Sequence, residues 1–350
     1  MDPALLIPNP DTLPVPWPWF KALLIPCFAV HLLFMNALLG SGIIGWTHVL
    51  RSRDQDQETA RRVSKNLPFH MAFTINFGVA ALLFMQVLYG HLFYTSSILM
   101  AVWWLSALAL VLMAYGAAYW IDFKFDYPAG RRNLTWTLMV AALLLVGFVF
   151  VNNLTLMQDP GAWPRYFQAP GGTLLHWEDA TLIPRYLHFV AASVAVGGLA
   201  LAVLDHHRSA ERAAAYLRWF TVATALQLFI GGWFFMALPP TLRLAMMGGD
   251  ALASVLFAVA LLGFLSTLAF GIKQRLWPSV GTALFTVLAM VLVRDIVRTM
   301  YVAPYFDVGR LTVQPQYSPM AVFGLFLVLG VVSIGYMVRL YFKAKGAGAP

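Results

Sequence analysis

Nine long apolar stretches occupy most of this 350-residue chain, and they constrain its fold more than any other feature. Each is long enough to cross about 30 Å of hydrocarbon as an α-helix, which takes about 20 residues. The runs are continuous and do not alternate with a period of two, so they indicate helices rather than the strands of a membrane barrel. The sequence therefore predicts an all-α, polytopic integral membrane protein. The predicted spans are residues 18–47, 68–95, 97–121, 134–156, 183–205, 213–238, 241–272, 277–302 and 319–342.

The amino-acid composition also indicates an integral membrane protein. Only 11% of the residues are charged and 60% are hydrophobic, whereas an ordinary soluble domain carries about 25% charged residues. So few charges could not cover a water-soluble body of this size, which excludes a cytosolic enzyme, a disordered protein and a nucleic-acid-binding module despite the net charge of +8. The single cysteine, Cys27, excludes a disulfide framework, a cysteine-ligated zinc site and a CxxCH haem attachment.

The basic residues predict the orientation, because cytoplasmic loops of membrane proteins are enriched in Lys and Arg. Alternate connections and the C-terminal tail carry sixteen of the 23 basic residues, so we expect an outer N-terminus and a cytoplasmic C-terminus in a bacterial inner membrane. Residues 1–17 are interpreted as an extramembrane segment that lies on the outer surface, and residues 18–345 as one transmembrane domain. The sixteen are Arg51, Arg53, Arg61, Arg62, Lys65, Lys124, Arg131, Arg132, Arg208, Arg212, Arg218, Lys273, Arg275, Arg339, Lys343 and Lys345.

A second group of polar residues lies within the predicted spans, mostly in the outer half of the membrane. Ionisable side chains are costly in a bilayer and are therefore functional candidates. Imidazole and thioether groups are ligands of haem iron, and arginines can pair with the carboxylates of haem propionates. The candidates are His31, His91, His188, Arg243, Met246, Met247, Asp250, Arg294, Asp295 and Arg298.

Structural roles are the alternative to cofactor binding for the same residues. A single histidine within a membrane is often a hydrogen-bonding residue between helices, and methionines often only pack. Asp295 and Arg298 are three residues apart and could form a structural ion pair, and Arg243 could extend to the interface. The small residues after His188 would let either a flat macrocycle or another helix approach closely.

Five local matches, in the same order along the chain, resemble subunit I of the cytochrome bd-type terminal oxidases. His31 stands where that family has a haem ligand in its first helix. TINFGVA in the second span is similar to the family's GINFALGVA, and YLHFVAASVAVGG in the fifth is similar to FVHTVAAGYVTG. LRLAMMGG in the seventh span is similar to FRIMVG, and VRDIVRTMY in the eighth aligns with AEFGRQPW.

This resemblance implies a bd-oxidase subunit I-like bundle and a set of haem ligands. His188 takes the place of one ligand of the low-spin haem, with Met246 or Met247 as the other. Asp295 takes the place of the family's glutamate ligand, and Arg243 and Arg298 match its arginines. The resemblance also implies two or three haems of type b, with haem d compatible but not indicated, and a second membrane subunit.

Departures from the family pattern bear on the reaction. The family's long quinol-oxidising loop lies between the sixth and seventh helices, which here are joined by little more than ALPPTL, and residues 97–121 lack the family's carboxylates. We therefore expect a b-type haem cytochrome that exchanges electrons near the outer face as part of a respiratory redox complex, with a c-type cytochrome or a quinone as its redox partner. Its propionates would be held by Arg243, Arg294 and Arg298 with His91 nearby, and Asp250 or Asp295 would carry protons.

The alternative functions are a quinol-oxidising oxidase that reduces O2, a proton- or anion-coupled transporter, and a haem-free anchor subunit.

Overall fold

The computed structural model describes residues 3–51 and 54–347, with side chains from residue 3 to 51 and from 56 to 344. Within these residues nine helices are long and apolar enough to cross a membrane, which confirms the predicted all-α, nine-span architecture. Arg53, one of the predicted cytoplasmic residues, lies outside the described residues. The helices are α1 (Trp17–Arg51), α2 (Asp54–Ser64), α3 (Leu67–Leu99), α4 (Ala101–Phe123), α5 (Ala129–Gln158), α6 (Leu182–Asp205), α7 (Ala210–Ala237), α8 (Pro240–Leu244), α9 (Ala251–Ile272), α10 (Leu276–Val302) and α11 (Tyr317–Ala347).

The predicted seventh span, 241–272, is wrong at its beginning. The short helix α8 is followed by a π-helical turn over Ala245–Gly249, and the membrane-spanning helix α9 begins only at Ala251. Gly248 has a φ of +120°, which glycine adopts without the steric cost that a side chain would impose, so the chain turns here. Asp250 is consequently exposed rather than within a span, and its carboxylate accepts a hydrogen bond of 2.8 Å from the backbone N–H of Ala253 as the N-cap of α9.

The centre of the bundle is the packing of α6 between α1 and α7. Gly40 of α1 and Gly197 of α6 meet so closely that a Cβ on Gly197 would lie 2.4 Å from the carbonyl carbon of Gly40. The hydroxyl of Ser193 bonds to Asn36 at 2.9 Å beside this crossing. The small residues after His188 thus serve the approach of neighbouring helices, one of the two readings that the sequence left open.

We call the end of the bundle at which α1 begins the outer end, following the predicted orientation. There the N-terminal segment pairs in parallel with the chain that joins α10 to α11, through an isolated β-bridge between Leu13 and Val313. The backbone N–H of Leu13 donates to Thr312 at 2.8 Å, and that of Gln314 donates to Leu13 at 2.8 Å, with Leu13 only 2% exposed. In contrast, none of the described residues of α11 is buried, so this apolar helix is exposed along its length.

Candidate haem-binding site

His31 lies on α1 and is oriented by the backbone of α3. Its Nδ1 lies 2.9 Å from the carbonyl oxygen of Thr74. A carbonyl can only accept a hydrogen bond, so Nδ1 carries the proton and Nε2 has its lone pair free. No hydrogen bond from the described residues reaches Nε2. A metal-ligating histidine is typically held in this way, with one ring N–H on a carbonyl and the other nitrogen on the metal.

Gly78, one turn beyond Thr74, makes room for this imidazole. A Cβ at position 78 would lie 2.8 Å from Cε1 of His31 and 2.9 Å from its Nδ1. Both distances are shorter than van der Waals contact, so any side chain here would displace the ring. Gly78 belongs to the TINFGVA segment of the sequence, and its lack of a side chain leaves the space that the His31 ring occupies.

His188 lies on α6, where its imidazole packs against Gly231 and near the ring of Phe234. Its Nδ1 is buried and has no hydrogen-bond partner among the described residues. A buried polar atom without a partner costs about 1–3 kcal/mol, so this nitrogen is a candidate to bind a group from outside the chain. The backbone carbonyl of His188 is satisfied by Nε2 of Gln227 at 2.8 Å.

Asp295 on α10 is held by two cations. Arg298 donates to its Oδ1, and Nζ of Lys21 on α1 lies 2.8 Å from its Oδ2. The Arg298 side chain is 2% exposed and also packs over the ring of Tyr89, at the kink of α3. With both carboxylate oxygens engaged, Asp295 has the geometry of a structural ion pair. Ligation of iron by Asp295 stays a prediction that would require these contacts to be exchanged.

Two further arginines near this ion pair lack a carboxylate partner among the described residues. Arg294 stacks over the ring of Phe28, with its guanidinium carbon 4.3 Å from the ring centroid, and lies within electrostatic range of Arg298, Asp295 and His31. Arg185, on α6, donates to Gln158 at 3.1 Å and to Thr181 at 3.2 Å, and its Nε has no hydrogen-bond partner among the residues that the structure describes. It also lies within electrostatic range of Arg294.

The charged residues around Asp295 therefore include more cations than carboxylates. Lys21, Arg294 and Arg298 lie near one carboxylate, that of Asp295, and the carboxylate within electrostatic range of Arg185 is that of Asp179. Burying unpaired charge is unfavourable, so the cluster is suited to an anionic group. Haem propionates are such a group, and the imidazole of His31 with a free nitrogen lies in the same neighbourhood. These residues fit a haem. We call Lys21, Arg185, Arg294 and Arg298 the cation cluster.

Two members of the cation cluster were absent from the sequence-based candidates. Lys21 lies inside the first predicted span and meets the same criterion of an ionisable residue in a bilayer. Arg185 lies three residues before His188, on the same face of α6 by helical periodicity. Both could have been found by applying the criterion to span ends as well as to span centres.

The structure separates the two candidate methionines. Met246 is 4% exposed and packs in a cluster that includes Leu238, Phe234 and Tyr301. Met247, in contrast, is 71% exposed. Since Phe234 also lies beside His188, Met246 is the better placed of the two to serve the same cofactor.

Three other candidates lie apart from the cation cluster. Arg243 is partly exposed on α8, and its nearest polar partner is the sulfur of Met236 at 3.9 Å. Asp250 caps α9, as described above. His91 packs edge-on against Phe306 with a ring separation of 4.3 Å, and its Nε2 is buried without a partner among the described residues.

The connection between α5 and α6 carries a polar network at the outer end of the bundle. His176 is 4% exposed and bonds to Asp159 through Nε2 at 3.0 Å. Its Nδ1 lies 2.6 Å from a guanidinium nitrogen of Arg165, which can only donate, so Nε2 carries the ring proton toward Asp159. This hydrogen bond lowers the pKa of Asp159 below its ordinary value.

Comparison with known proteins supports the fold that the motifs predicted. No protein-family model and no curated protein matches the sequence. A solved structure of bd oxidase from Geobacillus thermodenitrificans matches with a TM-score of 0.68, over 98% of this chain and 99% of that chain, at 11% sequence identity. The chain thus has a bd oxidase subunit I-like fold.

Proposed function

We propose that the protein is a membrane cytochrome that binds haem b in its outer half and transfers electrons as part of a respiratory redox complex. The observation that carries this proposal is the cation cluster, in which Arg185 and Arg294 have no carboxylate partner in the described chain, beside the imidazole of His31 with Nε2 free. An anionic cofactor with a metal that accepts imidazole satisfies both features. Haem has both properties, and the bd oxidase-like fold is consistent with it.

His31 and His188 are the residues proposed to hold the iron of separate haems. His31 offers Nε2, with its ring orientation set by the bond from Nδ1 to Thr74. For His188 the proposed partner ligand is Met246, since Met246 is buried in the cluster that contains Phe234 while Met247 is exposed. Haem b, when bound, supplies one-electron redox chemistry at its iron.

The cation cluster would hold the propionates and set the reduction potential. Arg185 and Arg294 form no ion pair with a described carboxylate, so their guanidinium groups would be available to bind the propionates. Their positive charge favours the reduced state and so raises the potential. Asp295, held between Arg298 and Lys21, is proposed to keep Arg298 in place and to partly offset the excess positive charge.

The redox partner is proposed to be a protein at the outer face, with a c-type cytochrome as the expected class. The connection from α7 to α9 runs only from Leu238 to Asp250 and includes α8, so it leaves no room for the long quinol-oxidising loop that the sequence resemblance associates with bd oxidases. A second membrane subunit is also proposed. The exposed helix α11 offers an apolar surface for such a subunit or for lipid.

A spectrum of the purified protein tests haem binding, and two donors test its partner. A reduced-minus-oxidised spectrum should show Soret and α bands, and reduced c-type cytochrome should reduce the protein faster than a quinol does. A preparation that folds with added haem but shows no such bands would reject the proposal.

A quinol-oxidising oxidase is the second candidate function, favoured by the match to bd oxidase over almost the whole chain. It requires an iron with an open coordination position. Carbon monoxide binding to the reduced protein, together with quinol-dependent O2 consumption, would favour the oxidase over the electron-transfer cytochrome.

A further inference from the structure

A basic groove at the inner end of the bundle lies outside the proposed haem-binding site. It is a cavity of about 430 Å³ formed by the inner ends of α1, α2 and α7. Arg51, Arg212 and Arg218 line it, and so do Trp219 and Val222. The groove lies far from the cation cluster, because Arg51 is at the inner end of α1 whereas Lys21 is near its outer end.

A second cavity of about 680 Å³ adjoins the first and shares Arg212 with it. Its other basic residues are Arg62, Lys65 and Arg208. Together the two cavities form what we call the inner groove, which has six Lys and Arg side chains and no Asp or Glu among its lining residues.

Most of this positive charge is not neutralised by the described residues. Arg51, Lys65, Arg208 and Arg218 form none of the ion pairs that the structure describes. Arg62 and Arg212 share the buried carboxylate of Asp205, with N–O distances of 3.7 and 3.0 Å, and Arg62 also pairs with Glu58 at 2.5 Å. A groove with several free cations attracts a multiply charged or compact anion.

The wall of the groove on α7 changes from charged to apolar along its length. Arg212, Ala215, Trp219 and Val222 follow one another at intervals of three or four residues, so they share one face of the helix. The ten steps from Arg212 to Val222 rise about 15 Å along the helix axis at 1.5 Å per residue. Val222 is 67% exposed. A ligand that fits this wall has an anionic head and an apolar tail.

We propose that the inner groove is a binding site for an anionic phospholipid. The phosphate headgroup lies among Arg51, Arg212 and Arg218, and an acyl chain follows Trp219 and Val222 toward the membrane centre. Basic pockets between transmembrane helices bind phospholipid headgroups through this combination of charge and apolar surface. A soluble phosphate would use the cations but would gain nothing from Trp219.

The test is native mass spectrometry of the delipidated, detergent-solubilised full chain, titrated separately with phosphatidylglycerol, phosphatidylcholine and inorganic phosphate. We expect phosphatidylglycerol to bind at least tenfold more tightly than phosphatidylcholine. The double variant Arg51→Gln, Arg218→Gln should weaken phosphatidylglycerol binding by roughly tenfold or more. Both side chains are exposed and unpaired in the described structure, so the variant should fold, which its unfolding temperature checks.

Two control variants distinguish a lipid site from other sources of binding. Arg131→Gln removes an exposed cation at the same end of the molecule that lies outside the inner groove, and should leave phosphatidylglycerol affinity unchanged. Trp219→Ala should weaken phosphatidylglycerol binding severalfold. Equal binding of the two lipids, or equal effects of Arg131→Gln and the double variant, would overturn the proposal. So would tight binding of inorganic phosphate that is insensitive to Trp219→Ala, which would indicate a site for a soluble anion.

Discussion

Nδ1 of His31 lies 2.9 Å from the carbonyl oxygen of Thr74, which joins α1 to α3 through the imidazole. The bond uses the ring nitrogen that carries the proton and leaves the other available. A histidine that served only to connect the two helices would gain from a second partner, whereas a ligand needs Nε2 free. This contact therefore links the packing of two helices to the proposed redox chemistry.

Gly78→Ala should displace the His31 ring, since the added Cβ would lie 2.8 Å from Cε1. We expect the haem held by His31 to be lost or to change its absorption spectrum, while the remaining haem is retained. The haem spectrum measures this directly. Gly116→Ala is the matched control, because a Cβ at position 116 would meet nothing within 4 Å. Equal spectra for both variants would show that His31 does not bind a haem.

Arg294→Gln should lower the reduction potential of the nearest haem, because it removes a positive charge that favours the reduced state. If that charge stabilises the reduced form by a factor of ten, the potential falls by about 59 mV for one electron. A spectroelectrochemical titration measures the shift. Arg243→Gln serves as the comparison, since Arg243 lies on α8 apart from the cation cluster. Equal shifts in the two variants would argue against propionate binding by Arg294.

Asp295→Asn should destabilise the protein, because it leaves Arg298 buried without its counter-charge. Breaking a buried ion pair by removing one partner costs about 3–5 kcal/mol. Lys21→Gln should cost less, since the Lys21 side chain is 25% exposed and Asp295 keeps Arg298. Thermal unfolding in detergent ranks the variants. If Asp295→Asn removed a haem signal without lowering the unfolding temperature, iron ligation would be the better explanation.

Protonation of Asp159 at low pH should destabilise the connection between α5 and α6. The hydrogen bond from His176 lowers the pKa of this carboxyl below its ordinary value of 3.8. A lowered pKa in the folded state contributes stability above the unfolded value, and this contribution is lost as the pH falls through the folded value. The unfolding temperature should therefore drop below about pH 4, and Asp159→Asn should lessen that drop. Asp307→Asn, which removes an exposed pair with Arg310, should leave the acid profile as it is. An identical profile for both variants would contradict this role of Asp159.

Hydropathy predicted the membrane helices because a bilayer imposes length and polarity on each span separately. Hydropathy did not predict the break before α9, because LRLAMMGG is apolar enough to resemble part of a span. Only the paired Gly248 and Gly249 indicate a turn there. The pair Asp295–Arg298 was foreseeable from its spacing of three. The contact of His31 with Thr74 was not, because it depends on how two helices pack, and periodicity does not determine that.

Haem content per polypeptide, determined as the pyridine haemochrome, tests the central proposal most directly. The wild-type protein should contain two or three haems of type b per chain. His31→Ala and His188→Ala should each lose one, with helical circular dichroism unchanged. A folded wild-type chain without haem, or histidine variants with the full haem content of the wild type, would contradict the proposal.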